Sequence, residues 1–256
     1  ATVNITISGN IIFVDGDEPA GGDGSQTTPY NTLADAQANS NPNDFIYILP
    51  SASPFNESIQ LQENQTLIGA AAALELDGQV IIPASTLPAD RPIIAPAIGQ
   101  VPVVIDDVTG VSVKGLQLTA TDSNAVNISN NGLDVSAVIE DNIIQSNSIS
   151  TNVGVSVSLN SSTGSADISV LNNDISAPDN GISIFNFSFS PAQIMLDNNQ
   201  IDTTTGSGSG IWVDSGTGAT TRLAINNHTS IQSNNFAIEL QGSSGSLYLT
   251  DFQGNV

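Results

Sequence analysis

The stretch LNNDISAPDNGISIF, Leu171 to Phe185, sets a pair of asparagines between aliphatic residues and then opens a second alternating apolar run behind a glycine. The phrase returns as LDNNQIDTTTGSGSGIWV at 196–213 and, more loosely, as INNHTSIQSNNFAIEL at 225–240. Around it, two families of apolar pairs spaced by two residues recur. The first holds Val111/Val113, Ala137/Ile139, Ile168/Val170, Ile194/Leu196, Leu223/Ile225 and Leu247/Leu249. The second holds Val126/Ile128, Val155/Val157, Ile182/Ile184, Ile211/Val213 and Ile238/Leu240, each behind a small residue: Ala125, Gly154, Gly181, Gly210 or Ala237.

Alternation at period two marks a strand with one buried face. Its recurrence every 24 to 31 residues, with no amphipathic helix between, leaves a chain that wraps once per repeat. Each coil then pairs in parallel with the next, about 4.8 Å away, and like residues stack in columns. A leucine-rich repeat would place its leucines in a tighter phrase, and a β-sandwich would not keep residue type in register over so many repeats. The expected fold is therefore all-β, a single-stranded parallel β-helix. In that frame Asn142, Asn173 and Asn199 fall at a corner, two residues before Ile144, Ile175 and Ile201. Asparagine tolerates the left-handed conformation a corner needs, and stacked asparagines can hydrogen-bond along the axis. His228 takes the same place in the next coil and reads as a corner substitution.

Composition narrows the chemistry. Only three bases (Arg91, Lys114, Arg222) stand against 25 acids, a net charge of -22. Such a chain repels nucleic acid and anionic membrane surfaces, so neither is expected as a partner. No run of about 20 apolar residues is present, so direct membrane insertion by a helix is not expected either. The absence of cysteine excludes disulfides, thiolate zinc sites and a cysteine nucleophile.

The amino-terminal part is a different phrase. Thr32 is placed to cap a short helix through Ala38, with Asp35 near its positive end and Leu33 and Ala36 facing inward. Strands follow at Phe45–Leu49 and twice within FNESIQLQENQTLIG. Pro29-Tyr30-x-Thr32-Leu33-x-x-Ala36, Asp44-x-Ile46, Asn56-Glu57-Ser58-Ile59 and Asn64-x-Thr66-Leu67-Ile68-Gly69 together resemble the first segment of pectin-lyase-like proteins. The resemblance continues through VTGVSVKGLQL and the asparagine-bearing coils. It implies a right-handed winding with the short helix plugging the open amino end. The IIPASTLPADRPII stretch is similar to a variant found in large bacterial surface proteins, of the autotransporter-passenger kind. The chain is accordingly expected as one domain over 1–256. Within it lie an amino-terminal cap with opening coils at 1–69, an Ala/Pro-rich coil with loops at 70–105, and regular coils over 106–256.

That superfamily includes lyases, hydrolases, esterases, adhesins and surface passengers. Pectate lyases need a strong base and calcium, and GIWVDSG at 210–216 is only superficially similar to their Trp-x-Asp-His motif, since no histidine follows Asp214. Complete polygalacturonase and pectinesterase motifs are missing, and a serine-hydrolase triad has no support. Asp106-Asp107 reads as a turn or corner. The register supplies a sharper candidate. Trp212 lies between inward Ile211 and Val213 and points outward, with Phe185 diagonal to it in the neighbouring coil. Asp214 stacks beside Phe185 and Glu239 beside Trp212. Two exposed aromatics flanked by carboxylates would form a glycan-binding platform, and Asp214 and Glu239 an alternative catalytic acid pair, unless a loop covers the aromatics or they are scattered surface residues. A bend between Ile184 and Phe185 would instead turn Phe187 and Phe189 into the core. A second candidate is the Gly-rich loop DGDEPAGGDGS, whose Asp15, Asp17 and Asp23 offer oxygen ligands to calcium, although Pro19 breaks the EF-hand pattern. No cofactor is otherwise called for.

The closing run LYLTDFQGNV ends on a coil with no evident cap, which leaves strand edges to be covered by a longer chain or by end-to-end self-association. ATVNITISGN is a spare alternating strand suited to such pairing. The reading that results is a non-catalytic extracellular or cell-surface module, a passenger, adhesin or fibre subunit. The alternative is a carbohydrate-binding or polysaccharide-degrading protein acting through the Trp212 face.

Overall fold

Short runs rich in Val, Ile and Thr, bounded by Asn, Asp, Gly and Ser, favour strands and turns over helix, and the structure follows that preference. The computed structural model describes residues 9–147, 152–160, 163–187, 189, 191–228 and 230–255. Among these, three parallel sheets of nine, six and seven strands are joined turn by turn into a solenoid. The first sheet runs from Ile11–Val14 through Val111–Lys114, Val135–Glu140, Ala166–Leu171, Pro191–Asp197 and Thr220–Asn226 to Ser246–Gln253. The third runs from Ile59–Gln60 through Val126–Asn130, Val155–Leu159, Ile182–Asn186 and Ile211–Ser215 to Ile238–Gln241. The second sheet was not foreseen as a strand family of its own. Its members Gln117–Thr121, Ile143–Asn147, Asp174–Ser176, Gln200–Thr203 and Ser230–Ser233 begin just after the corners at Leu116, Asn142, Asn173, Asn199 and His228 and stack Leu118, Ile144, Ile175, Ile201 and Ile231. The expected spare strand ATVNITIS lies outside the described residues.

One aliphatic core fills the coil from Ile12 to Ile225. The expected columns of the third sheet are present: Val126, Val155, Ile182, Ile211 and Ile238 are successive partners. The small residues before them are small for want of space. A Cβ on Gly181 would sit 2.3 Å from Ile201 Cγ2 and 2.8 Å from Gly210 O. The first sheet departs from expectation at its last member, where a bulge between Leu223 and Ala224 pairs Leu223 with Leu249 and Ile225 with Phe252. Thr250 is the extra residue, and its hydroxyl donates to Leu223 O at 3.0 Å.

The corner asparagines divide two tasks that the sequence reading assigned to one residue. The residue in the left-handed region is the one before each expected corner: Asp141, Asn172, Asn198 and Asn227 have φ of 56°, 56°, 52° and 53°. The next residue turns inward and is buried. Asn142 N donates to Asn173 Oδ1 (3.0 Å), and Asn173 N donates to Asn199 Oδ1 (3.0 Å). Each side-chain amide also donates to a carbonyl of the preceding coil, from Asn142 to Val113 O, from Asn173 to Ile139 O and from Asn199 to Val170 O (3.0, 2.8 and 2.8 Å). Asp107, too, is left-handed (φ 53°), which confirms Asp106-Asp107 as a corner.

The one α-helix among the described residues is Leu33–Asn39, with Asp35 N donating to the Thr32 cap oxygen and Leu33 and Ala36 buried. No described helix is long and apolar enough to cross a membrane. A second apolar cluster, not foreseen, lies on the outer face of the first sheet's opening strands. There Phe13 and Tyr47 meet edge to face, and Ile68, Ala70 and Ala72 extend the patch to Leu74. The antiparallel hairpin Leu74–Leu76/Gln79–Ile82 brings Leu74 and Ile82 onto it.

The division of labour at the corner predicts opposite outcomes for adjacent residues. Asn173→Ala strands the Asn142 N–H in the core and is expected to cost about 1–3 kcal/mol. Asn172→Gly keeps the left-handed turn and is expected to change stability by less than about 1 kcal/mol. Urea unfolding of the two variants measures the contrast.

Candidate functional site

The expected aromatic site sits on the outer side of the third sheet, and its register is as read. Ser183 pairs with Trp212 and Phe185 with Asp214, while Trp212 pairs with Glu239 and Asp214 with Gln241. Period-two alternation sends Ile211 and Val213 inward, so Trp212 and Asp214 go outward.

The surroundings differ from the expected exposed platform. Trp212 and Phe185 are half-buried, and their rings meet in a T at 4.4 Å between centroids and 87° between planes. One ring thus presents its edge to the other, and the two do not lie side by side as one flat surface. Phe187 stacks on Phe185 at 6.4 Å and 17°. It does not enter the core: strand Ile182–Asn186 keeps its alternation, Asn186 takes the inward place, and Phe187 and Phe189 are exposed. Phe187 lies across Gly216, where a Cβ would come within 2.0 Å of its ring.

Both carboxylates already act as acceptors between coils. Asp214 is only 8% exposed. Its Oδ1 accepts from Ser243 Oγ at 2.8 Å and Ser243 N at 3.4 Å. Glu239 accepts from Ser209 Oγ (2.8 Å) and from Gln241 Nε2 (2.7 Å). Trp212 Nε1 and Ser183 Oγ, neighbours in the ladder, are buried without a hydrogen-bond partner. The arrangement offers a half-covered indole, two unused donors and two carboxylates tied to serines.

The three aspartates considered for calcium are not brought together. Asp15 Oδ1 accepts from Asp17 N (3.0 Å), and Asp17 accepts from Ala52 N (3.0 and 2.9 Å). Asp23 accepts from Ser25 N at 3.0 Å and from the Thr28 hydroxyl. The Thr28 and Ser25 hydrogen bonds hold the Asp23 carboxyl at about 2, below the usual carboxylate range. Among the described residues no group of three or more His, Cys, Asp or Glu side chains is placed to hold a metal ion.

Further clefts lie elsewhere, two of them on the sheet faces. One, of about 440 Å³, follows the second sheet and is lined by Thr121, Asp122, Ser146, Asn147, Ser176, Pro178 and Thr205. The other, of about 360 Å³, lies on the outer first sheet among Asp167, Ser169, Gln193, Met195, Arg222 and Ala224. Arg222 covers the Tyr248 ring at 5.7 Å, a contact with no local sequence signal because the partners are one coil apart.

No family model matches the chain, and neither does any curated protein sequence. Among solved structures it is similar to a pectate lyase, Pel9A, at 10% identity and a TM-score of 0.48, over 96% of this chain and 78% of that one. It is also similar to a GH136 lacto-N-biosidase from Eubacterium ramulus, at 8% identity and a TM-score of 0.41, over 94% of this chain and 68% of that one. At these scores neither likeness bears on activity.

The T-shaped contact is open to a direct check, because Trp212 is the only tryptophan. Phe185→Ala is expected to uncover the indole, shifting its emission to the red and raising acrylamide quenching. Unchanged emission and quenching would mean that Phe185 does not cover it.

Proposed function

We propose that the chain is a structural module of the extracellular space or cell surface, a passenger, adhesin or fibre element whose braced coil is its working part. The observation that carries this reading is the buried side-chain ladder, which ties coil to coil along the axis independently of the strand pairing. The right-handed winding and the closing of the front end by helix Leu33–Asn39 belong to the same proposal. Crossovers between parallel strands of one sheet are almost always right-handed, and Leu33 and Ala36 belong to the same core as Ile12 and Ile59, on the strands the helix contacts.

The partner proposed is a further parallel coil, supplied by a longer chain or by a second copy. Leu240, Leu249 and Phe252 are 39%, 46% and 51% exposed, whereas their partners Val213, Leu223 and Ile225 are at 0%. The last coil therefore carries the apolar inward positions of an interior coil, and another coil would bury them.

A second reading is favoured by one observation, the outward indole beside Glu239 and Asp214. In it, Trp212 and Phe185 contact a glycan, with Asp214 and Glu239 as the catalytic pair if turnover occurs. A glycan array with Trp212→Ala and Asp214→Asn variants separates the cases. Binding lost only with the tryptophan change marks recognition, turnover lost with the aspartate change marks catalysis, and no signal removes both. For the structural reading, the coils are expected to resist a broad-specificity protease at levels that digest an Asn173→Ala/Asn199→Ala variant. Equal digestion of the two would contradict it.

A further inference from the structure

The ladder has one member of a different kind. At the other corners a side-chain carbonyl accepts the backbone N–H of the ladder residue before it. Leu116 N donates to Asn142 Oδ1 at 3.0 Å, and His228 N donates to Asn255 Oδ1 at 3.3 Å. His228 has no carbonyl to offer Asn199 N. Its Nδ1 lies 3.1 Å from Asn199 O, a carbonyl that can only accept, so Nδ1 carries the proton. Nε2 is then left with a lone pair, and it is buried with no partner in a residue that is 0% exposed.

We propose that His228 is an acid-sensitive joint in the solenoid, whose protonation at Nε2 releases the coil Ser230 to Asn255 from the coils before it. The added proton creates a buried cation, costly away from water, at a nitrogen that has no hydrogen-bond partner in the folded coil.

Few charged groups lie on the elements around the joint. Asp197, on the preceding coil, favours the cation, yet its Oδ1 is already held by Asn227 Nδ2 at 3.0 Å. Strand Gln200–Thr203 brings Asp202, bound to Thr204 N and Oγ1 (2.9 and 2.7 Å). Strand Thr220–Asn226 brings Arg222, stacked on Tyr248. Strand Ser246–Gln253 brings Asp251, bound to Asn226 Nδ2 and Gln253 Nε2 (3.2 and 2.7 Å). Strand Ser230–Ser233 brings none. Burial outweighs the hydrogen bonds to the Asn199 and Leu196 carbonyls and the charge of Asp197, and pushes the imidazole below its usual 6.5. The unfolded coil therefore binds more protons than the folded one between the two values. Closure is complete above pH 6.5 and weakens as the pH falls through that window.

Because the chain has one histidine, a single imidazole resonance reports on the joint. The experiment follows that resonance against pH and maps amide protection factors about one unit above and about one unit below 6.5. The expected result is an imidazole that titrates below 6.5, with protection over 230–255 falling by up to about tenfold while coils 111–197 keep theirs. His228→Asn, which restores the ladder residue, is expected to abolish the pH dependence. An imidazole that titrates at or above 6.5 would overturn the proposal. So would a loss of protection spread evenly over all coils, or an unchanged pH dependence in His228→Asn. The wild-type titration decides the matter even if the variant does not fold.

Discussion

The rest of the structure depends on a buried primary amide that bonds along the solenoid axis. A parallel coil pairs backbone with backbone up to either side of its corner, as Asn172 N with Asp197 O and Asp174 N with Asn142 O, but leaves out the N–H of the inward corner residue. At the turn after the first sheet, that N–H would be left inside the barrel. Asn173 and Asn199 supply the acceptor for that N–H, and the side-chain amides of Asn142, Asn173 and Asn199 donate to strand carbonyls of the preceding coil. The geometry works only because the preceding residue takes a left-handed conformation and aims the asparagine inward. Buried polar groups that are fully paired in this way fix one register, since a coil displaced by one residue would lose every bond of the column.

From that register the outer faces follow. With the inward columns set, Trp212, Asp214, Phe185 and Glu239 have no choice but to face out on neighbouring strands. Loops of adjacent coils then fold over them, with Ser209 and Ser243 bonding the two carboxylates. The same columns place Asp167, Gln193, Arg222 and Tyr248 in one outward row on the first sheet. The solenoid is thus a ruler for side chains, and any surface it offers is spaced by the distance between strands, about 4.8 Å.

Much of this was legible in the sequence where several coils said the same thing. The columns of the third sheet stood out because two inward aliphatics and a small residue recur together. The second sheet was hidden because each of its strands contributes a single aliphatic, such as Ile144 or Ile175, too few to show alternation. The left-handed turn was read one residue late because Asn172 and Asn173 are the same residue type with different tasks. The bulge at Leu223/Ala224 and the cover over Asp214 depend on Thr250 and Ser243, 27 and 29 residues away, for which no local pattern exists.

The central claim is that the second asparagine of each corner is an internal brace while the first is a surface turn. Proton exchange of the side-chain amides, read by NMR on uniformly nitrogen-labelled protein, tests it most directly. The Nδ2 protons of Asn142, Asn173 and Asn199 should be protected as strongly as the backbone amides of the strands beside them, and those of Asn172 should exchange freely. Exchange of all these side chains at the rate of surface asparagines would contradict the ladder and the account built on it.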